Sequence, residues 1–212
     1  MDFVPQFLND LKNTSIPEYI AVVFGIVSVY FSRKENILVY PTGLINTILY
    51  VYLSFKGHLL GEASVNIYYT IVSIYGWWLW SKKDFANHNV LKITTSSKQQ
   101  WIHQTLFFAV LYILIFLSLK YLKNEFAPGA IPWADALASA SAFTAMWLMA
   151  KKKVESWIWW IITNIVSIPL YLTKSYAFTG IYYLILLAMA ISGLILWMNK
   201  VKKDEKSSDY RP

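Results

Sequence analysis

The chain has 212 residues, of which 57% are hydrophobic and 15% charged, with a net charge of +7 and no cysteine. This composition excludes an ordinary soluble domain, because too few charged residues are available to cover a water-exposed surface. The lack of cysteine excludes disulfides, thiolate metal sites and cysteine nucleophiles. Most of the chain is therefore expected to contact lipid or other buried helices.

Seven apolar stretches have about the length of 17 or more residues that a helix needs to cross a bilayer. In chain order they are Ile16–Phe31, Leu38–Phe55, Ala63–Trp80, Thr105–Tyr121, Pro132–Ala150, Ser156–Leu172 and Phe178–Met198. The residues before the first stretch, Met1–Ser15, are expected to form a short tail. The sequence thus predicts an all-α membrane protein with seven transmembrane helices.

The basic residues predict the orientation of these helices. Most of them fall in the first, third and fifth loops between spans and in the C-terminal segment, where the sequence has Arg33, Lys34, Lys82, Lys83, Lys92, Lys98, Lys151, Lys152, Lys153, Lys200, Lys202, Lys203, Lys206 and Arg211. The expected location is the cell (inner) membrane. The positive-inside rule places the basic side and the C-terminus in the cytoplasm, and the N-terminus on the outer side. Because the charges flank helix ends and form no patch with exposed aromatics, nucleic acid is not an expected partner.

The first three and last three spans look like two copies of one unit, displaced by roughly 118 residues. The matching positions are Arg33-Lys34 with Lys151-Lys152, Asn46 with Asn164, Gly76 with Gly193, and Trp80 with Trp197. One connecting helix between two triplets makes the triplets parallel, a 3+1+3 plan of two triple-helix repeats known from SWEET-like transporters. We expect residues 1–80 to form the first repeat, 81–131 a cytoplasmic loop and the connecting helix, 132–199 the second repeat, and 200–212 a charged cytoplasmic tail.

Polar side chains inside the spans are the first candidates for function, because they cost free energy in lipid unless they are partnered. Asn46, Asn66 and Asn164 lie well inside their spans. Each could simply join two helices by a hydrogen bond, which is worth about 0.6 kcal/mol. Three such residues, two of them related by the repeat, favour a shared polar cavity.

Trp157, Trp160 and Asn164 follow one another at spacings of three and four residues, so a helix places them on one face. Two aromatic rings beside an amide suit a flat heterocycle, and a cationic ring gains about 0.5–2 kcal/mol from cation–π attraction. The alternative is a belt of aromatic residues at the membrane interface. We expect these residues to bind an aromatic cation at the interface between the repeats.

The third span adds further candidates for the same site. Asn66 and Tyr69 share a helical face, and Glu62 lies one turn before Asn66, near the expected outer surface. A carboxylate there would draw cations towards the site. The sequence contains no phosphate-binding loop, no metal-ligand spacing and no catalytic triad or paired carboxylates at mid-membrane, so we expect no enzyme activity, metal or cofactor.

Three parts of the sequence resemble the Pnu family of vitamin transporters. They are Tyr40–Asn46, the third-span stretches Asn66–Tyr69 and Ile74–Trp77, and the spacing of Trp157, Trp160 and Asn164. The resemblance extends over nearly the whole chain. It implies facilitated diffusion of a water-soluble vitamin, which a cytosolic kinase then traps by phosphorylation.

One position, residue 66, decides which vitamin we expect as the substrate. Asn66 stands where the nicotinamide riboside branch of the family has Gln, and a short amide one turn from Glu62 suits an aminopyrimidine. We therefore expect thiamine first, with nicotinamide riboside as the alternative. Two other readings stay open, a membrane receptor that binds without transport and a sugar transporter built on the same repeat. The sequence also leaves open whether the chain forms a homo-oligomer.

Overall fold

The computed structural model describes residues 3–57, 60–85, 88–126, 129–174 and 176–209. Over these residues the chain forms eight helices: α1 Phe3–Asn13, α2 Ile16–Arg33, α3 Val39–Lys56, α4 Leu60–Ser81, α5 Lys98–Phe126, α6 Pro132–Ala150, α7 Glu155–Thr173 and α8 Ala177–Asp209. The all-α class is confirmed, and each of the seven predicted spans overlaps one of the helices α2–α8. That all seven cross the membrane stays a prediction. By length and composition, α2, α5, α7 and α8 are each apolar enough to cross a membrane. The last residues of the predicted tail, 210–212, lie outside the described residues.

The prediction of an N-terminal tail was wrong for α1. This helix packs against α8, and the Asp10 carboxylate accepts hydrogen bonds from the backbone N–H groups of Ala177 (2.9 Å) and Phe178 (3.4 Å). Asp10 therefore caps the first turn of α8, where free N–H groups and the helix dipole favour an anion. Eleven residues are too few for a membrane span, so the length of an apolar stretch gives no indication of this helix.

Helices α2 and α6 share the same signals at both ends. Each begins with a proline in its first turn, Pro17 and Pro132, where the missing N–H costs nothing. After each helix one residue takes a left-handed conformation, Glu35 with φ of 54° and Lys152 with φ of 51°. The following N–H groups bond back to Phe31 O (2.9 Å) and Leu148 O (3.0 Å), as in a Schellman motif. Both helices therefore end in equivalent turns.

The helices of the first half, α2–α4, and of the second half, α6–α8, pack in the same order. Helix α3 contacts α2 and α4, and α7 contacts α6 and α8. Between the halves, α4 packs against α6 and α2 against α8. Helix α5 packs against α6. Each half thus presents its third helix to the first helix of the other half.

An aromatic core joins the halves at the basic end, by which we mean the end of the bundle that carries Arg33, Lys82, Lys152 and Lys200. Tyr40 and Trp80 form an edge-to-face pair 5.2 Å apart, and Trp157 and Trp197 form a second one 5.5 Å apart. The rings of Trp80 and Trp197 are 6.3 Å apart. We call these four side chains the aromatic quartet. Gly76 faces the Tyr40 ring and Gly193 the Trp157 ring, each at a distance that leaves no room for a Cβ atom.

Hydrogen bonds of one kind recur in the two halves. Asn46 donates to Ala21 O (2.7 Å), and Thr163 donates to Ala138 O (3.4 Å), in each case from the second helix of its half to the first. These positions differ by 117 residues, as do Glu35 and Lys152. The predicted pairing of Asn46 with Asn164 stays a prediction; the hydrogen bond of Asn46 has its counterpart at Thr163, one residue earlier.

Candidate functional site

Two predicted site residues from different halves lie close together. The rings of Trp160 on α7 and Tyr69 on α4 lie 6.2 Å apart. Tyr69 also lies 6.1 Å from the ring of Phe143 on α6. Trp160 and Tyr69 are both only half-buried, so their rings remain open to a ligand. The structure thus brings together an indole and a phenol where α4 meets the second half.

The sequence prediction missed a group of tyrosines around this pair. Tyr171 and Tyr183 stack 5.1 Å apart, and the Tyr183 hydroxyl interacts with the side chains of Tyr171 and Ser167. Electrostatic interactions connect these residues with their neighbours in what we call the tyrosine cluster: Tyr50, Tyr69, Tyr171, Tyr182 and Tyr183. All five are half-buried, and they lie on four different helices, α3, α4, α7 and α8. Interacting, half-buried side chains from several helices are expected at the wall of an internal cavity.

One sequence signal could have found part of the cluster. Trp160, Asn164, Ser167 and Tyr171 recur at helical spacing and form a single stripe along α7. Of this stripe, only Trp160 and Asn164 were among the residues predicted from the sequence. Tyr50, Tyr182 and Tyr183 lie on other helices, and no spacing within one segment relates them to α7.

Glu62 brings a negative charge to the tyrosine cluster. It lies in the first turn of α4, is exposed, and interacts electrostatically with Tyr50, Tyr171 and Tyr183. At the same end of the bundle, Lys174 forms an ion pair with Asp135 at 2.9 Å. A carboxylate beside aromatic rings favours a cationic ligand over an anionic one.

The predicted asparagines take different positions. The Asn46 amide packs against Gly25 together with the Tyr182 hydroxyl, which connects Asn46 to the tyrosine cluster. The Asn66 amide donates to Glu62 O within α4 (2.9 Å), so its N–H group is engaged one turn away. Asn164 is 2% exposed, and its Oδ1 atom has no hydrogen-bond partner among the described residues. A buried amide oxygen without a partner is costly, so a ligand donor would stabilise it.

Trp157 and Trp160 have different surroundings although they share a helical face. Trp157 is 1% exposed and packs against Gly193 and Trp197 in the aromatic quartet. The ring contact of Trp160 is with Tyr69 of the other half. Of the two, Trp160 is therefore the one that a ligand can reach, and Trp157 supports the turn of α7 next to it.

Two surface depressions at the basic end do not suit an aromatic cation. They have volumes of about 400 and 420 Å³ and share Glu35 as their carboxylate. Lysines and Arg33 outnumber that carboxylate, since the second depression alone is lined by Arg33, Lys34 and Lys200. Net positive charge repels a cation, so the tyrosine cluster is the better candidate. Among the described residues no group of three His, Cys, Asp or Glu side chains could hold a metal ion.

Comparisons with known proteins agree with a transporter site. The family model for the nicotinamide mononucleotide transporter matches residues 15–199. The nicotinamide riboside transporter PnuC of Escherichia coli is 27% identical, with 88% of this chain and 86% of that protein aligned. The riboflavin/roseoflavin transporter RibM of Streptomyces davaonensis is 24% identical, with coverages of 87% and 85%.

A solved structure supports the fold as well. The crystal structure of the vitamin B3 transporter PnuC superimposes with a TM-score of 0.73 at 26% identity, covering 95% of this chain and 88% of that one. These relatives carry nicotinamide riboside, riboflavin or vitamin B3, so the expectation of thiamine gains no support from them. The chain belongs to the nicotinamide mononucleotide transporter family, the Pnu family of vitamin transporters, and is a multi-pass membrane transporter of a vitamin and not an enzyme.

Proposed function

We propose that the chain carries nicotinamide riboside into the cell by facilitated diffusion. The pyridinium ring of this nucleoside is an aromatic cation, which matches the paired rings of Trp160 and Tyr69. This pairing is the observation that carries the proposal, and the charge of Glu62 at the tyrosine cluster supports it. Two of the relatives transport the same nucleoside at 27% and 28% identity.

The ligand is proposed to lie against the tyrosine cluster with its ring on Trp160. Its carboxamide N–H group then donates to Asn164 Oδ1, which has no partner among the described residues. Asn46 and Tyr69 contribute from the first half, and Glu62 neutralises the positive ring. Asn66 and Trp157 do not touch the ligand in this proposal. Asn66 holds the turn of α4 that carries Glu62, and Trp157 packs in the aromatic quartet and supports α7.

Transport is proposed to follow from two parallel repeats, α2–α4 and α6–α8, connected by α5 in a 3+1+3 plan. The equivalent turns at Glu35 and Lys152 and the equivalent pairs of the aromatic quartet support this reading. The excess of lysine at the basic end supports a cytoplasmic location for that end, with the N-terminus outside. Small shifts of one repeat against the other would then open the site to each side in turn.

Concentration inside the cell is proposed to come from phosphorylation by a cytosolic kinase. The sequence has no phosphate-binding loop with which the chain could use ATP. Phosphorylation adds negative charge, and the carboxylate of Glu62 repels the anionic phosphate of the product. The inner membrane is the proposed location, because this is where such a carrier would meet its substrate.

The experiment that tests the substrate is calorimetric titration of the purified protein with nicotinamide riboside, thiamine and riboflavin, followed by flux into liposomes. We expect binding and flux of the riboside, weaker binding of thiamine and little of neutral riboflavin. Tight binding of thiamine alone would overturn the substrate proposal. Binding of the riboside without flux would instead identify a receptor. If none of the three ligands bound, the proposed binding site would be wrong.

A further inference from the structure

An ionic cluster at the basic end connects the two halves of the chain. The Lys152 ammonium donates to Glu35 Oε1 (2.6 Å) and to Leu91 O (2.9 Å), and it lies 4.5 Å from the centre of the Trp80 ring. Lys200 on α8 pairs with the other oxygen of Glu35. Lys152 is 1% exposed. The cluster thus holds together the α2–α3 turn, the α6–α7 turn, the α4–α5 segment and α8.

Both partners of this ion pair occupy the left-handed position of a helix-ending turn. Glu35 and Lys152 adopt left-handed φ angles, which glycine takes without cost and other residues disfavour. The Schellman turn itself accounts for the left-handed backbone, and glycine would serve it best. What Glu and Lys add at these two positions is the contact between their side chains, which joins the halves.

The aromatic quartet lies next to this ion pair and also crosses between the halves. Trp80 belongs to the first half and contacts Trp197 of the second. Its indole N–H donates to Ala150 O (3.1 Å), the last residue of α6. All four side chains of the quartet, Tyr40, Trp80, Trp157 and Trp197, are 4% exposed or less. A ligand at the tyrosine cluster therefore has no open route to the basic end.

A buried ion pair is well suited to a contact that must break repeatedly. Its attraction is largely offset by the desolvation of both charges, and water solvates both again when the pair separates. An interface of apolar side chains alone would expose hydrophobic surface on opening and receive no such compensation. The Glu35–Lys152 pair can therefore separate and re-form at modest cost, while it fixes a single closed arrangement.

We infer that Glu35 and Lys152, with the aromatic quartet beside them, form the gate on the basic side of the transport path. The pair acts on the movement of the halves and not on ligand binding, because the tyrosine cluster contains neither residue. Lys200 and the Leu91 carbonyl complete the closed gate. This inference rests on the proposed function, since a gate has meaning only where a solute passes.

The natural lack of cysteine makes a crosslinking test direct. In the variant Glu35→Cys/Lys152→Cys, the two cysteine side chains are shorter than the Glu and Lys side chains that they replace. A reducible bifunctional thiol reagent is therefore used to join the two sulfur atoms. We expect crosslinking to lower flux of nicotinamide riboside into liposomes at least tenfold and to leave its Kd within twofold. Reduction of the crosslink restores the flux. The control is Asp135→Cys/Lys174→Cys, an ion pair within the second half, whose crosslink should leave flux unchanged.

A second variant covers the case in which the first does not fold. Arg33 on α2 donates to Ser192 Oγ on α8 (2.6 Å), so Arg33→Cys/Ser192→Cys joins the halves at the same end and leaves the ion pair intact. Full flux through either crosslinked protein would overturn the gate. Failure of uncrosslinked wild-type protein to bind or carry the riboside would overturn the proposed function instead, so the two failures are distinguishable.

Discussion

The indole of Trp160 and the phenol of Tyr69 approach to 6.2 Å although they belong to helices almost a hundred positions apart in sequence, α7 and α4. This contact places one aromatic ring from each half against the same space. It also separates Trp160 from Trp157, whose ring is enclosed by Gly193 and Trp197.

Replacement of Trp160 by alanine should weaken binding of nicotinamide riboside at least fivefold, because the ring supplies cation–π attraction of about 0.5–2 kcal/mol together with stacking area. Calorimetric titration measures the change. Trp78→Ala is a matched control, since Trp78 is exposed on α4 and its contacts are with Tyr75 and Lys82. Equal affinity of Trp160→Ala and wild type would show that the ring has only a structural role.

Asn164→Leu should weaken binding of nicotinamide riboside and leave the stability of the fold nearly unchanged. The Oδ1 atom of Asn164 is buried without a partner among the described residues, so an apolar side chain of similar size costs little folding free energy. A carboxamide ligand would lose its acceptor, and we expect about tenfold weaker binding, equivalent to about 1.4 kcal/mol. Thermal unfolding in detergent and titration with the riboside measure the two effects. A large fall in melting temperature would instead identify a structural hydrogen bond.

Glu62→Gln should reduce uptake of cationic substrates several-fold. Glu62 is exposed near the tyrosine cluster, where its charge raises the local concentration of a cation. The difference from wild type should shrink at high salt, because mobile ions screen exposed charges. Initial uptake rates at low and high salt provide the measurement. If a neutral substrate such as riboflavin lost as much, the effect would not be electrostatic.

Gly193→Ala should destabilise the basic end. An added Cβ would lie 2.7 Å from atoms of the Trp157 ring, which is fully buried and has no free direction in which to move. Overpacking of this kind costs about 1–3 kcal/mol, and a lower melting temperature in detergent would report it. Gly180→Ala is the comparison, because the side chain nearest to its new atom is that of Leu172, which can rotate away. Equal melting temperatures for Gly193→Ala and wild type would contradict the packing argument.

Much of the fold followed from hydrophobic patterning. The predicted boundaries of Pro132–Ala150 coincide with α6, because a proline starts the helix and a Schellman turn ends it. α5 and α8 extend beyond their predicted spans, since polar residues at a helix end continue the backbone bonds outside lipid. α1 was missed because it is held by the Asp10 cap and by packing on α8, neither of which is visible in a hydropathy pattern.

The sequence by itself determined the all-α class, the approximate positions of the apolar helices and the family, and it named Trp160, Asn164, Tyr69 and Glu62 as site candidates. Helical spacing is a local property, so these could be read from single segments. Only the tertiary structure decided that Trp157 packs in the aromatic quartet while Trp160 pairs with Tyr69, and which tyrosines lie near that pair. The Glu35–Lys152 pair likewise required the fold, because two turns distant in sequence become neighbours only when the two halves pack together.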